Sequence, residues 1–323
     1  MGRLVAIGGG SGLSVLLRGL KEHVGGALTE LTAVVTVSDD GGSSGRLRRE
    51  LGVLPPGDIR NCIVALADDE DLLARLFQYR FTDGGGLAGH SFGNLFLTAL
   101  TGVTGDFYQA ILTAESVLSV RGRILPATLS DVTLQGRGAS GKLYEGESAV
   151  GHSGEPICEL TLLPPRAPAF PPAVEAIRKA DLVLLGPGSL HTSILPNLLI
   201  PGIRKAVREG RARVVLLMNL MTQPGETDEM DAKAHLEAIQ HHAGDDLVDA
   251  VLVNRTPYPE GALKLYAETG SRPVSVSVEA LEGHGVEVVE RDLLAAGDLI
   301  RHDPVKLSRE ALALAPAPSG GAK

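Results

Sequence analysis

Residues 4–20 read Leu-Val-Ala-Ile-Gly-Gly-Gly-Ser-Gly-Leu-Ser-Val-Leu-Leu-Arg-Gly-Leu, a short apolar run that passes through a glycine-rich turn into an amphipathic segment. The apolar run predicts a buried strand over Arg3–Ile7, and the spacing of the leucines in Leu13–Leu20 predicts a helix. A second apolar run, Leu31–Val37, completes a βαβ unit. This start of the chain therefore predicts an α/β protein with a parallel sheet.

The same alternation of strand and helix resumes in the second half of the chain. Strands are predicted at Asp181–Leu185, Arg213–Met218, Ala250–Val253, Pro273–Val278 and Val286–Glu290. Between the halves, a helical pattern runs from Asp58 to Val120. Glycine-broken alternating runs then predict a small antiparallel β insertion over about 121–163. We expect one α/β domain over residues 1–314, with a Rossmann-like, doubly wound, largely parallel sheet, and a disordered tail over 315–323.

Composition excludes several function classes. The chain has 323 residues, a formal net charge of -9 and only 3% aromatic residues, and it has no long basic run, so nucleic acid is not an expected partner. No segment predicts membrane insertion, and the apolar start is too short for a signal peptide. We therefore expect a cytoplasmic protein. The two cysteines, Cys62 and Cys158, have apolar neighbours and are expected in the core.

Polar and glycine residues follow several of the predicted strands directly. In open α/β sheets, ligands bind outside the carboxyl ends of the strands, where the strand order reverses. The segments expected at that edge are Gly8–Gly12, Ser38–Gly42, Gly186–Ser189, Asn219 and Asn254.

The first of these segments precedes a helix, so the backbone N–H groups of Gly9, Gly10, Ser11 and Gly12 are candidates for binding a phosphate. It is not a complete dinucleotide fingerprint, because Leu13 stands where the last glycine belongs. The alternative is a tight strand-to-helix turn with no ligand.

The second segment carries adjacent carboxylates, Asp39 and Asp40, in a polar loop that ends at Arg46. Such carboxylates suit Mg²⁺, a ribose or proton transfer, and Arg46 is a candidate partner for a phosphate oxygen. The alternative is a solvated loop whose carboxylates bind its own N–H groups.

A second anion-binding turn is predicted from the glycines and hydroxyls of Gly186, Gly188, Ser189, Thr192 and Ser193. A helix cap formed by Thr192 or Ser193 is compatible with that interpretation.

Further along the chain, Asn219 begins a polar loop, and Thr227 is expected to cap the helix over Asp228–His242. Asn94, close behind His90 and Ser91, either reaches the site or belongs to a helix cap.

These motifs together resemble one known family. The chain is similar to the YvcK-type gluconeogenesis factors, the bacterial branch of the CofD-like superfamily. The similarity covers most of the chain and rests on the segments 8–12, 38–46, 55–61 (Pro-Pro-Gly-Asp-Ile-Arg-Asn), 89–94, 186–189 and 221–227. Ser11 departs from the threonine that is common in the family, but keeps the hydroxyl.

The resemblance implies a protein that is needed for normal cell shape and wall growth on gluconeogenic carbon sources and that binds UDP-sugars such as UDP-N-acetylglucosamine. The enzymatic branch, 2-phospho-L-lactate transferase, moves a phospholactyl group from a nucleotide diphosphate carrier onto a deazaflavin alcohol with Mg²⁺. By analogy, Asn219 and Arg301 face the nucleotide, and Asp39 and Asp40 bind the metal or activate an acceptor.

Two functions stay open at this point: a UDP-sugar sensor without catalysis, and a Mg²⁺-dependent transferase. The first is favoured, because the match is to the branch without an established reaction. A homo-oligomer and cell-wall regulatory proteins are the expected macromolecular partners, and the choice between uridine and guanosine stays open.

Overall fold

The computed structural model describes residues 2–68 and 72–316. Its ten strands are Gly2–Gly8 (β1), Leu28–Val35 (β2), Arg123–Pro126 (β3), Thr133–Gly138 (β4), Leu143–Glu145 (β5), Ile157–Leu163 (β6), Leu182–Leu185 (β7), Arg213–Leu217 (β8), Ala250–Asn254 (β9) and Glu287–Arg291 (β10).

The α-helices of the described residues are Gly10–Leu20 (α1), Gly42–Leu51 (α2), Gly57–Leu66 (α3), Leu72–Gln78 (α4), Phe92–Thr104 (α5), Phe107–Val117 (α6), Glu147–Gly151 (α7), Pro171–Lys179 (α8), Leu195–Leu198 (α9), Pro201–Glu209 (α10), Ala232–Ala243 (α11), Glu260–Glu268 (α12), Val278–Glu282 (α13) and Pro304–Leu312 (α14). A π-helical turn, Leu190–Ile194, precedes α9. None of the helices in these residues is long and apolar enough to cross a membrane.

The main sheet has seven strands in the order β10-β9-β8-β7-β1-β2-β3, and every neighbouring pair is parallel. The chain moves outward from β1 to β3, returns to place β7 beside β1, and then moves the other way to β10. The strand order therefore reverses between β1 and β7, which is the doubly wound arrangement that the sequence predicted.

Side chains of β1 alternate between two hydrophobic cores. Val5 and Ile7 pack into a core shared with α8, α10 and α11, whereas Leu4 and Ala6 pack into another shared with α1, α3 and α14. Because successive side chains of a strand point to opposite faces, these cores lie on the two faces of the sheet. The leucines of α1 are fully buried in the second core, as their spacing predicted.

The small antiparallel sheet, in the order β5-β4-β6, is the predicted β insertion. Its predicted range began too early, because β3 joins the edge of the main sheet beside β2. The insertion also contains a short helix, because β5 ends at Glu145 and α7 follows after Gly146.

Several predicted local features are corrected. The polar loop after β2 is shorter than expected, because α2 already begins at Gly42. Asp231, not Thr227, caps α11, and the Thr227 hydroxyl accepts a hydrogen bond from the Gln223 N–H. Residues 273–278 form no strand of the main sheet; Pro273 makes only a bridge to Met221.

Two other expectations have different outcomes. Cys62 is buried but Cys158 is exposed, because it lies where the pairing of β6 with β4 shifts register. Residues 317–323 of the expected disordered tail lie outside the described residues.

Candidate functional site

A cleft of about 550 Å³ lies at the carboxyl ends of β1, β7 and β8, where the strand order reverses. We call it the glycine cleft. It is lined by Gly9, Gly10, Ser11, Gly12, Pro187, Gly188, Ser189, Ser193, Asn219, Leu220, Met221, Thr222, Gln223, Pro224, Tyr266, Ser271, Ile300, Arg301 and His302. Three of the predicted strand-end segments therefore meet in one cavity with Arg301, which comes from the loop before α14.

The turn between β1 and α1 is shaped by its glycines. Gly10 has a φ of +64°, and a side chain there would meet only the Ser193 hydroxyl, so it would enter open cleft space. A Cβ on Gly12 would overlap the backbone of Pro187, so the two turns touch at this point. Glycine is thus required at Gly10 for its backbone conformation and at Gly12 for close packing.

The buried carboxyl of Asp58 accepts a hydrogen bond from the N–H of Gly10. Burial and the nearby charge of Asp39 raise the pKa of Asp58 to about 7. The next two N–H groups, of Ser11 and Gly12, stand in the first turn of α1, where a helix offers no internal acceptor, and both residues line the cleft. These two N–H groups are therefore available to a ligand in the cleft.

The second turn, Gly186–Ser189, is held from both sides. The Asn219 Oδ1 accepts from the N–H of Gly188 at 3.1 Å, and its Nδ2 donates to the Gly188 carbonyl at 2.7 Å. Asn219 therefore fixes the turn with both ends of its amide.

Glu226 binds the start of the π-helical turn. It accepts from the His191 N–H at 2.8 Å, from the Thr192 N–H and from the Ser189 hydroxyl. The cap residue is Ser189, whose Oγ accepts from the Thr192 N–H at 3.0 Å. The predicted caps Thr192 and Ser193 are thus corrected, and part of the predicted anion-binding turn is occupied by a carboxylate of the chain itself.

Asp39 and Asp40 point to different neighbours. Asp39 accepts from the Gly41 N–H at 2.8 Å, whereas Asp40 accepts from the N–H and the hydroxyl of Ser148 at 2.9 and 2.8 Å. Asp40 thus ties the β insertion to the main domain, and the two adjacent carboxylates accept hydrogen bonds from different segments.

A different group of carboxyls forms the acidic centre, which we define as Asp39, Asp58 and Glu147. Burial raises the pKa of Asp39, and it raises the pKa of Glu147 to about 9 together with the charges of Asp39 and Asp58. The Glu147 Oε2 is buried and has no hydrogen-bond partner in the described part of the chain. The insertion therefore contributes a carboxyl that is protonated at neutral pH in the absence of a cation.

Comparison with known proteins identifies the family. The family model "2-phospho-L-lactate transferase CofD" matches residues 4–294. The gluconeogenesis factor of Bacillus subtilis (strain 168) is 45% identical over 307 residues, which cover 95% of this chain and 96% of that protein. The gluconeogenesis factor of Halalkalibacterium halodurans is 46% identical over 310 residues, which cover 96% and 95%.

The chain belongs to the CofD family, in its YvcK-type gluconeogenesis-factor group. A crystal structure of a Bacillus halodurans protein with 46% sequence identity superposes with a TM-score of 0.92 and covers 96% of this chain and 99% of that one. The resemblance in the motifs and the α/β fold are both confirmed by these matches.

The CofD family implies Mg²⁺, and the acidic centre has suitable oxygen ligands. Within residues 2–68 and 72–316, no three His, Cys, Asp or Glu side chains are arranged to hold a metal ion by themselves. Mg²⁺ is commonly bound by one or two carboxylates together with water and substrate phosphates. Asp39 and Glu147, with its unpartnered Oε2, fit this mode and would hold the ion.

Four predicted ligand-binding residues are not in the wall of the glycine cleft. Gly186 starts the second turn and Thr192 lies in the π-helical turn, whereas Arg46 and Asn94 lie in the neighbouring helices α2 and α5. Arg46 donates to the Ala88 carbonyl at 2.9 Å, and Asn94 donates to the Ser44 hydroxyl at 3.3 Å from the first turn of α5. Ser91 caps that helix, so the capping alternative is confirmed for Ser91. Arg46 and Asn94 thus support α2 and the loop before α5 in this structure.

Sequence reasoning missed Asp58, Glu147 and Glu226 as site residues. Asp58 and Glu226 stand within the family segments 55–61 and 221–227, so those motifs held the signal. Glu147 lies in the β insertion, where only the fold brings it to Asp39.

The contacts of Asn219 lead to a testable prediction. Asn219→Ala removes both hydrogen bonds to Gly188, at a cost of about 1–3 kcal/mol, so we expect the melting temperature and the affinity for UDP-N-acetylglucosamine to fall together. Asn254→Ala is the matched control, because Asn254 also ends a strand and ties the next loop through Leu293 and Thr256 but lies outside the cleft.

The control should lose stability and keep its affinity. Thermal unfolding and calorimetric titration of both variants provide the comparison. An Asn219→Ala protein of unchanged melting temperature and reduced affinity would show that the amide contacts the ligand directly.

Proposed function

We propose that the glycine cleft binds a UDP-sugar such as UDP-N-acetylglucosamine, and that the protein is a cytoplasmic regulator of cell shape and wall growth during gluconeogenic growth. The observation that carries this proposal is the meeting of the Gly9–Gly12 and Pro187–Ser189 turns at the reversal point of the sheet, beside Arg301. Glycine turns with helix N-termini at this place are typical phosphate-binding elements.

The parts of the ligand have distinct places in this proposal. The diphosphate lies along the glycine turns, within reach of the N–H groups of Ser11 and Gly12. The Arg301 side chain is exposed and makes no hydrogen bond or salt bridge to any residue that the structure describes, so its guanidinium is available to an anionic ligand. Tyr266 and Met221 supply apolar surface for the base.

Binding without catalysis is favoured because two carboxylates near the site already form hydrogen bonds within the chain. Asp40 is engaged by Ser148, and Glu226 occupies N–H groups at the start of the π-helical turn. Asp40 therefore holds the β insertion to the main domain, and Glu226 holds the end of the second glycine turn in place. A sensor needs such a preorganised site and no further chemistry.

A transferase is the second candidate, and the acidic centre favours it. The pKa of Asp58 near 7 suits a group that transfers protons at neutral pH, and Asp39 and Glu147 would hold Mg²⁺. When bound, Mg²⁺ would offset the negative charge of a diphosphate. The reaction would be phospho-group transfer from a nucleotide-activated donor.

Phosphorus NMR separates the two candidates. The protein is incubated with UDP-N-acetylglucosamine and Mg²⁺, with and without a small-molecule extract as a source of acceptors. We expect broadened diphosphate signals that keep their integral for hours. Steady conversion of the diphosphate to a new phosphorus species would support the transferase, and sharp unshifted signals would contradict both candidates.

A further inference from the structure

A second cavity, also of about 550 Å³, adjoins the glycine cleft on the other side of the first turn. We call it the arginine pocket. It is lined by Ser11, Gly12, Ser14, Val15, Arg18, Arg60, Asn61, Gln78, Arg80, Arg301 and His302. Ser11, Gly12, Arg301 and His302 also line the glycine cleft, so the two cavities share a wall.

The charge of this lining is unusual for the protein. Four of its residues are arginines and none is an Asp or a Glu, although the chain carries a formal net charge of -9. None of the four arginines forms a salt bridge with a carboxylate in residues 2–68 and 72–316, whereas Arg48, Arg121 and Arg213 elsewhere do. The positive charge of the pocket is therefore not neutralised by paired carboxylates of the described chain.

The positive charge of Arg60 is unfavourable in this structure, because the guanidinium is partly buried and lies near Arg80. It is half-buried, its Nε is buried without a hydrogen-bond partner in the described residues, and it donates to Ser91 and Asn61. Burial and the charge of Arg80 lower the pKa of Arg60, while Asp58 and Asp39 in the acidic centre act in the opposite direction. An anion in the pocket would relieve the repulsion between the two arginines.

The remaining groups also favour an anion. The side chains of Arg18 and Arg301 are exposed and have no hydrogen-bond partner among the described residues, and the side chain of Arg80 makes a single hydrogen bond, to the Gly89 carbonyl at 2.6 Å. The planar guanidinium group of arginine binds phosphate through paired N–H donors, whereas the ammonium group of lysine acts as a single point charge. Ser11 and Asn61 add neutral donors at the same wall.

We propose that the arginine pocket binds a small ligand of its own, a dianion of the phosphate monoester class, next to the glycine cleft. The pocket has the size of the glycine cleft and its own arginines, so this ligand and a ligand of the glycine cleft occupy separate spaces and meet at Arg301. This proposal does not require the neighbouring cleft to hold a UDP-sugar.

Titration with inorganic phosphate tests the proposal on the whole chain. The measurement is made by calorimetry at constant ionic strength, alone and with saturating UDP, and succinate serves as a dicarboxylate probe. We expect phosphate to bind with and without UDP, and Arg18→Gln to weaken it by about tenfold, the scale of one charge-assisted contact. Arg166→Gln, an exposed arginine outside the pocket, is the charge-matched control and should leave phosphate binding unchanged.

The same variants are titrated with UDP-N-acetylglucosamine, because Arg18 lines only the arginine pocket. Unchanged nucleotide affinity with weakened phosphate binding supports a separate site. Phosphate binding that UDP abolishes, or that Arg18→Gln and Arg166→Gln reduce equally, would overturn the proposal. Tighter binding of succinate than of phosphate would overturn the assigned ligand class. Failure of UDP-N-acetylglucosamine to bind concerns the glycine cleft alone.

Discussion

Gly10→Val is expected to weaken the binding of UDP-N-acetylglucosamine by at least about 100-fold, because its side chain would fill the space that the diphosphate needs. Gly10 lines the glycine cleft, and a Cβ added to it would have only the Ser193 hydroxyl oxygen within 4 Å. The change also strains the backbone, since φ is +64° and a β-branched residue disfavours that region.

Gly52→Val separates strain from steric exclusion. Gly52 also has a φ of +64°, and a Cβ there would meet no atom within 4 Å, but it ends α2 outside the cleft. Both variants should lose a similar amount of stability, and only Gly10→Val should lose affinity in a calorimetric titration. Equal affinities in the two variants would mean that the glycine serves the turn alone.

The melting temperature of Glu147→Gln is expected to exceed that of the wild type by an amount that grows as the pH rises from 5 to 9. The folded-state pKa of Glu147, about 9, lies above its ordinary value of 4.5, so the folded protein retains a proton that the unfolded chain releases. Stability from this group is therefore complete below pH 4.5 and is lost as the pH rises through 9. Glutamine does not ionise, so the variant avoids this loss.

The effect is large, because a shift of one pKa unit changes the free energy of unfolding by about 1.4 kcal/mol. Each kcal/mol in turn changes the melting temperature by about 2–4 °C. Thermal unfolding between pH 5 and 9 in a chelating buffer measures it. Glu145→Gln, an exposed glutamate two residues earlier, is the control and should follow the wild-type curve. Parallel curves for wild type and Glu147→Gln would contradict the acidic centre. Because the pKa of Asp58 is about 7, the melting temperature of every variant also falls by a smaller amount between pH 4 and 7.

The parts of the fold that the sequence predicted are those with a strong local signal. The apolar run before Gly8 and the leucine spacing after it were enough to place β1 and α1, because both are buried on the faces that the pattern indicates. Residues 273–278 misled the prediction, since Val274 packs into the core shared with α11 and β8 without the segment joining a strand. Propensity alone does not distinguish such a packed segment from an edge strand.

The site was predictable only in part, for a similar reason. Strand ends converge by topology, so Gly10, Gly188 and Asn219 could be brought together from the sequence. The acidic centre depends on long-range contacts of the β insertion with α3 and the loop after β2. The arginine pocket depends on those of α1 with α3 and the loop before α14. No spacing along the chain shows that Glu147 meets Asp39, or that Arg18 lies near Arg301.

Calorimetric titration of the wild-type protein with UDP-N-acetylglucosamine, UDP, GDP and uridine tests the central claim most directly. If the glycine turns bind a diphosphate and the rest of the cleft binds uridine, both the UDP-sugar and UDP bind, and GDP binds more weakly. The affinity for uridine, which has no phosphates, is then about 100-fold or more below that for UDP. Binding of uridine as tight as that of UDP, or no binding of the UDP-sugar at millimolar concentration, would contradict the account.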